Sequence, residues 1–244
     1  MRGIVLAAGG GMRLRPLTDE LPKTLLPVDG DRTILELVLA NLAAVGVREV
    51  TVVTGHGAEH VAAVTPDLEA RHGLDLELRF NPRHDTANNA YSLWLTRDRW
   101  DDEVLLVNGD TVHPVEVERR LLAARGTSPL LLAVDDVKEL ADEEMKVVLT
   151  ADGGIASISK ALDPATAAGE YIGVALVDPS IAGPLADALE RTFLRDPDLY
   201  YEDGFQAYVD AGGASAVVPI GHQPWVEVDD HRDLERARGL ACRS

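Results

Sequence analysis

Apolar residues in this chain fall into two kinds of pattern. Short unbroken runs, GIVLAA (3–8), EVTVVTG (49–55), EVLLVNGD (103–110) and SPLLLAVDD (128–136), predict strands buried on both faces. Between them, apolar positions recur at helical spacing. TILELVLANLAAVG (33–46) predicts a helix ending at Gly46, and PVEVERRLLAARG (114–126) another. AEHVAAVTPDLEARHG (58–73) predicts a helix with a break at Pro66. LDLELRF (74–80) alternates, as a strand exposed on one side does, and NPRHDTANNAYSLWLTRDRW (81–100) begins as a turn and ends as a helix. Strands alternating with helices predict an α/β fold: a Rossmann-like, doubly wound, mostly parallel sheet.

After about Asp135 the pattern changes. MKVVLTADGGIASISKAL (145–162) predicts a hairpin turning at Asp152-Gly153-Gly154, and GEYIGVALVD (169–178) a further strand. Two helices (179–194 and 202–212), two short strands (SAVVPI and PWVEV) and a closing helix (230–241) follow. The expectation is one domain over 1–244. Its first part, to about residue 135, is the sheet with its ligand-binding turns. A small embedded lobe follows over about 136–230.

Charge narrows the classes. The 244 residues carry 23 Lys+Arg and 41 Asp+Glu, a net charge of −18. A general nucleic-acid or anionic-membrane binder would carry the opposite sign, so any anionic ligand must be met by a local cation cluster or a bound metal. Cys242 is the single cysteine, so neither a disulfide framework nor a zinc cluster is expected. With an apolar strand starting at Arg2 and no run long enough to span a bilayer, a cytoplasmic enzyme is expected. A homo-oligomer is compatible with all of this.

Ligands of open α/β sheets bind at the carboxyl ends of strands, where AAGGGMR (7–13) lies. Glycines let backbone N–H groups approach phosphate oxygens. The dinucleotide fingerprint fails, because Leu14 stands where its third glycine belongs. The P-loop fails too, because Lys23-Thr24 follows Pro22. What remains is Gly9-x-Gly11-x-Arg13, then LRPLT, Pro22-Lys23 and LLPV. Arg13 and Lys23 supply positive charge, and Arg13 has a fork that suits phosphate.

This stretch, Gly9 to Val28, resembles without a gap the signature of sugar-phosphate nucleotidyltransferases. The resemblance implies that the backbone of Leu6, Ala7, Ala8 and Gly9 lies near a nucleotide base. It places Arg13 at the β- and γ-phosphates and Lys23 at the reacting α-phosphate, and makes these two the catalytic candidates. Asp110 ends LLVNGD at a strand's carboxyl end, where it suits Mg²⁺ or the cap of the next helix. In PWVEVDDHRDLERA, Glu227 and Asp229 alternate onto one strand face. The resemblance implies Mg²⁺ on Asp110 and Asp229.

Asn81 to Trp94 resembles the corresponding segment of the branch that includes cytidylyltransferases acting on phosphocholine, inositol phosphate and phosphonates. Asn81, Thr86 and Asn88 are nucleotide-binding candidates, since amides and a hydroxyl suit a pyrimidine edge, while one asparagine of Asn88-Asn89 serves as a helix cap. Lys146 and Lys160 resemble lysines that contact phosphate in the family. Tyr171, Tyr200, Tyr201 and Trp225 are candidates for a cage around a quaternary ammonium, with Glu202 and Glu227 as nearby anions. Lys138 stands where choline-specific relatives often carry tryptophan, and suits an anionic acceptor instead. His84 and His222 are expected at the surface.

The implied reaction is a Mg²⁺-dependent transfer of CMP from CTP to a small phosphate or phosphonate acceptor, with release of pyrophosphate. The alternative is a sugar-1-phosphate nucleotidyltransferase using another NTP. A phosphate monoester is already largely a dianion near neutral pH, its second pKa being about 6, so no general base is required.

Overall fold

The computed structural model describes residues 1–241; the single cysteine, Cys242, lies outside the described residues. In chain order the elements are β1 (Arg2–Ala7), β2 (Pro27–Asp29), β3 (Arg32–Thr33), α1 (Ile34–Ala44), β4 (Glu49–Thr54), α2 (Ala58–His72), β5 (Asp75–Phe80) and α3 (Asn89–Trp94). Next come β6 (Val104–Asn108), β7 (Thr111–Val112), α4 (Glu116–Ala123), β8 (Leu130–Asp135), β9 (Lys146–Leu149), β10 (Ile155–Ser159) and β11 (Gly169–Val177). The last are α5 (Ala182–Arg195), α6 (Tyr201–Asp210), β12 (Ala216–Pro219), β13 (Val226–Glu227) and α7 (His231–Ala241).

The nine-stranded main sheet runs β10-β9-β11-β6-β1-β4-β5, with β8 paired to β11 and β12 to β8. Strands β6, β1, β4 and β5 are parallel, as the alternation of strands and helices implies. The direction changes at β11, which runs antiparallel to β6, β8 and β9. This reversal opens a crevice beside the carboxyl ends of β1 and β6. The register of β11 shifts between Tyr171 and Ala175, where Gly173 has φ +79°. A Cβ there would lie 2.4 Å from Nδ2 of Asn108, so glycine is required both by conformation and by the close approach of β6.

Three apolar clusters hold the elements. Val5, Leu39, Val52 and Leu105 belong to the cluster on one side of the sheet, and Leu106, Leu132, Leu189 and Phe205 to that on the other. In the third, Leu14, Leu26 and Val28 of the first segment pack with Val112, Val226, Val228 and Leu234. It therefore docks the end of the chain onto the glycine-rich opening. Helix α2 continues through Pro66, against the expected break. The carbonyl freed by the missing proline N–H lies on the exposed side, with Ala62 and Pro66, while Val61 and Leu68 anchor the buried side.

Candidate active site

The turn after β1 is open on its inner side. Gly11 has φ +58°, and its carbonyl accepts a hydrogen bond from Thr18 Oγ1 at 2.7 Å. A Cβ on Gly9 or Gly10 would meet no heavy atom within 4 Å, so the backbone faces free space that a ligand can fill. Leu6, Ala8, Gly9 and Arg13 line a cleft of about 270 Å³ there. Ala7 is buried behind it and Gly11 shapes the turn without lining it.

Three carboxylates, Asp110, Glu227 and Asp229, offer oxygens that all lie within 4.8 Å of one another. Their meeting has a backbone cause. β13 pairs antiparallel with β7, Val226 opposite Val112 and Glu227 opposite Thr111, and the Val228 N–H donates to the Asp110 carbonyl at 2.9 Å. Lys23 Nζ bridges Asp110 Oδ2 at 2.8 Å and Asp229 Oδ1 at 2.9 Å, and Arg13 Nη2 donates to Asp229 Oδ2 at 2.7 Å. Thus the charged residues of the opening motif are tied to an acid more than two hundred positions away.

Burial opposes the charge on Lys23, but the attraction of Asp110 and then Asp229 outweighs it and holds Lys23 well above the ordinary lysine range. Burial also disfavours ionised Asp229, yet Lys23 and then Arg13 draw its carboxyl below the usual range. Glu227 is exposed by surface area but crowded on its cleft side. Desolvation, then the charges of Asp110 and Asp229, push it up to about 8. Asp110 Oδ1 is buried with no hydrogen-bond partner. An orphaned carboxylate oxygen among three clustered acids is a donor set that fits a hard divalent cation.

The wall formed by the β5–α3 connection and by α3 itself carries Asn81, His84, Ala87, Asn88, Asn89 and Ser92. Its amides are largely committed internally. Asn81 Nδ2 donates to Ser92 Oγ at 2.9 Å, and its Oδ1 accepts from the Arg83 N–H at 2.7 Å. Asn88 caps α3, accepting from the Asn89 N–H, and donates to the Asp198 carbonyl. Asn89 Oδ1 accepts from the Tyr201 N–H. Asn88 is therefore both cap and cleft wall. Thr86 is exposed on the turn and does not line the cleft.

The opposite wall is built by Glu143, Met145, Lys160, Tyr171, Tyr200 and Glu202, with Asn108 and Gly173 at its base. Tyr201 is fully buried behind it and donates to Asn108 Oδ1 at 3.0 Å, its hydroxyl 3.1 Å from that of Tyr171. Burial, then the neighbouring Glu202, pushes both phenols up. Burial also pushes Glu202 up to about 7, and its Oε2 has no partner. Lys160 lies 5.2 Å from the Tyr200 ring centre and forms no ion pair among the described residues.

Several expected acceptor contacts are placed differently. Lys138 pairs with Glu170 Oε2 at 2.6 Å and Glu144 Oε1 at 3.1 Å in a recess beside the cleft, so its charge is already matched. Trp225 lies in the same recess and donates from Nε1 to Asp135 Oδ2. Tyr201 and Trp225 thus do not join Tyr171 and Tyr200 in one cage. Lys146 is wholly buried, its Nζ bonded to main-chain carbonyls rather than facing the cleft. Of the histidines, His84 lines the cleft and His222 is exposed. Sequence reasoning missed Asn108, Gly173, Glu143 and Met145. The position of Asn108 two residues before Asp110 was a readable signal; the other three depend on how β11 and the loop before β9 fold.

Residues 2–139 match the nucleotidyl transferase family. Over 256 aligned positions the chain is 33% identical to the CMP-5'-(3-aminopropyl)phosphonate synthase of Streptomyces rubellomurinus, covering 97% of this chain and 38% of that protein. It is 29% identical over 240 positions to the bifunctional IPC transferase and DIPP synthase of Aquifex aeolicus, covering 96% of this chain and 50% of that protein. The chain thus spans half or less of the length of these curated relatives. Among solved structures, the inositol-1-phosphate CTP transferase from T. maritima shares the fold, with a TM-score of 0.81 over 98% of this chain and 95% of that one at 22% identity.

Proposed function

The chain belongs to the nucleotidyl transferase family, and on that premise we propose that it transfers CMP from CTP to a small phosphonate or phosphate bearing an amino group, releasing pyrophosphate. The observation that carries this reading is the pairing of opposite walls: an open glycine turn with Arg13 and Lys23 on one side, and on the other a buried Glu202, its Oε2 without a hydrogen-bond partner, beside Tyr171 and Tyr200. The turn suits the triphosphate, and the acid with its aromatic neighbours suits an ammonium group. Lys160, which forms no ion pair among the described residues although its charge reaches Glu202, Glu227 and Asp229, suits the acceptor's phosphonate or phosphate. The name of the Streptomyces relative supports the cytidylyl group and an aminoalkylphosphonate acceptor. In this reading the nucleotide side spans about 1–135 and the acceptor side about 136–230.

An acceptor oxygen attacks the α-phosphorus of CTP in line. One P–O bond forms, the bond to the bridging oxygen breaks, and pyrophosphate leaves with the electron pair. Lys23 offsets charge at the α-phosphate, and Arg13 offsets it on the departing pyrophosphate. Asp110 and Asp229, with Glu227 beside them, are the residues that would hold Mg²⁺, which would supply charge neutralisation for the transfer. In this reading Arg13, Lys23 and the acids that would hold the metal let a chain of net charge −18 bind polyanions locally. The test is pyrophosphate release from CTP, UTP, ATP and GTP against 3-aminopropylphosphonate, phosphocholine, phosphoethanolamine and glucose-1-phosphate. CTP with an amine-bearing acceptor is expected to react fastest. Reaction of glucose-1-phosphate alone, with another nucleotide, would overturn the reading in favour of a sugar-1-phosphate nucleotidyltransferase.

A further inference from the structure

Lys146 is among the largest fully buried side chains of the protein. An ammonium in such a place ordinarily has a carboxylate partner. Here, among the described residues, its partners are three main-chain carbonyls of one loop: Ala141 at 3.2 Å, Asp142 at 2.8 Å and Glu144 at 3.1 Å. All three of its donors are thereby used. These bonds close the loop onto the start of β9, and Glu144 Oε2 accepts from the Ala141 N–H to complete the turn.

The backbone of Lys146 stands at a junction as well. It pairs with Ser159 of β10 on one side and Glu170 of β11 on the other. The neighbours of those two partners, Lys160 and Tyr171, line the cleft, as do Glu143 and Met145 from the loop itself. One residue thus holds together the three segments that supply most of the acceptor wall.

We propose that Lys146 is a positioning residue for the acceptor: its buried ammonium fixes the 141–145 loop so that Glu143 and Met145 form part of the acceptor site. Removing the charge frees the loop and weakens the acceptor while leaving the nucleotide side unchanged. This rests on the reading of the cleft given above, and two readouts separate the two.

The first readout needs no turnover. Hydrogen–deuterium exchange of the wild type and Lys146→Met is followed in peptides covering 136–146 and in β1, β4 and β6. Exchange in the loop should rise about tenfold or more in the variant, with the three parallel strands unchanged. The second uses CTP with 3-aminopropylphosphonate. KM for the acceptor should rise about tenfold in Lys146→Met, with KM for CTP within about twofold of the wild type. Lys146→Gln, which keeps two donors, should fall between. If Lys146→Met fails to fold, Glu143→Ala in the exposed loop serves, and should raise the acceptor KM without altering that for CTP. Unchanged loop exchange, or equal losses for both substrates, would overturn the proposal. A wild type that turns over no acceptor would overturn the functional reading, while the exchange comparison still decides whether Lys146 orders the loop.

Discussion

The two walls of the cleft are built from different material. On the proposed nucleotide side, parallel strands with apolar cores end in a turn whose inner surface is bare backbone, and its two cations, Arg13 and Lys23, are tied to the carboxylates of Asp110 and Asp229. On the proposed acceptor side, antiparallel strands and helix α6 carry buried polar groups: Lys146 is bonded to main-chain carbonyls, Glu170 is paired with Lys138, the hydroxyls of Tyr171 and Tyr201 meet, and Glu202 keeps one oxygen without a partner. A triphosphate is recognised by geometry that any such turn can offer. A small acceptor must be recognised by particular side chains, and burying them makes each one depend on its neighbours. The first wall should therefore tolerate small changes in stability while losing function, and the second should couple the two.

The largest contrast is expected at Lys23. Lys23→Ala should lower turnover on the order of 10³-fold, because it removes the cation proposed to act at the reacting phosphate. Its circular dichroism spectrum should stay that of the wild type, and near-normal turnover would break the account of the nucleotide wall. At the base of the other wall, Gly173→Ala forces a Cβ against Asn108 at a positive φ. A loss of roughly 2–4 kcal/mol in denaturant unfolding is expected, together with a weakened acceptor.

Glu202 sharpens the comparison through pH. Its folded carboxyl is raised from about 4.5 to about 7 by burial, so the folded state holds the proton more tightly than the unfolded chain. That contribution to stability is present below about pH 4.5 and is lost as pH rises through about 7, amounting to about 3 kcal/mol. Glu202→Gln should remove this slope from the pH dependence of unfolding without ligand, and should raise the acceptor KM at least about tenfold. A slope that persists in the variant would assign it to another group. The smallest structural effect is expected at Gly9→Ala. Stability should change by no more than about 0.5 kcal/mol, since the new Cβ meets nothing, while KM for CTP rises about tenfold.

The same contrast explains what could be read before folding. Gly9 and Asp110 follow strand ends, visible as the close of an apolar run, and Arg13 and Lys23 are legible from their spacing after the glycines. Asp229 was legible by its alternation with Glu227, although the pairing of β13 with β7 that delivers it could not be read from two short strands. Lys138 and Lys146 were not legible. A lysine in a polar stretch reads alike whether it faces a phosphate, a pair of glutamates or three carbonyls, and only the loop's closure decides. Pro66 failed for a related reason: whether a proline breaks a helix depends on whether the freed carbonyl reaches water.

In the proposed reaction one cleft brings a cytidine nucleotide from one wall to an amine-bearing acceptor on the other. ³¹P NMR of a mixture of this protein, Mg²⁺, CTP and 3-aminopropylphosphonate tests it most directly. The CTP and phosphonate resonances should be lost together, with pyrophosphate and a pair of mutually coupled phosphorus signals appearing in their place. An unchanged phosphonate resonance, whether CTP is left intact or hydrolysed, would contradict it.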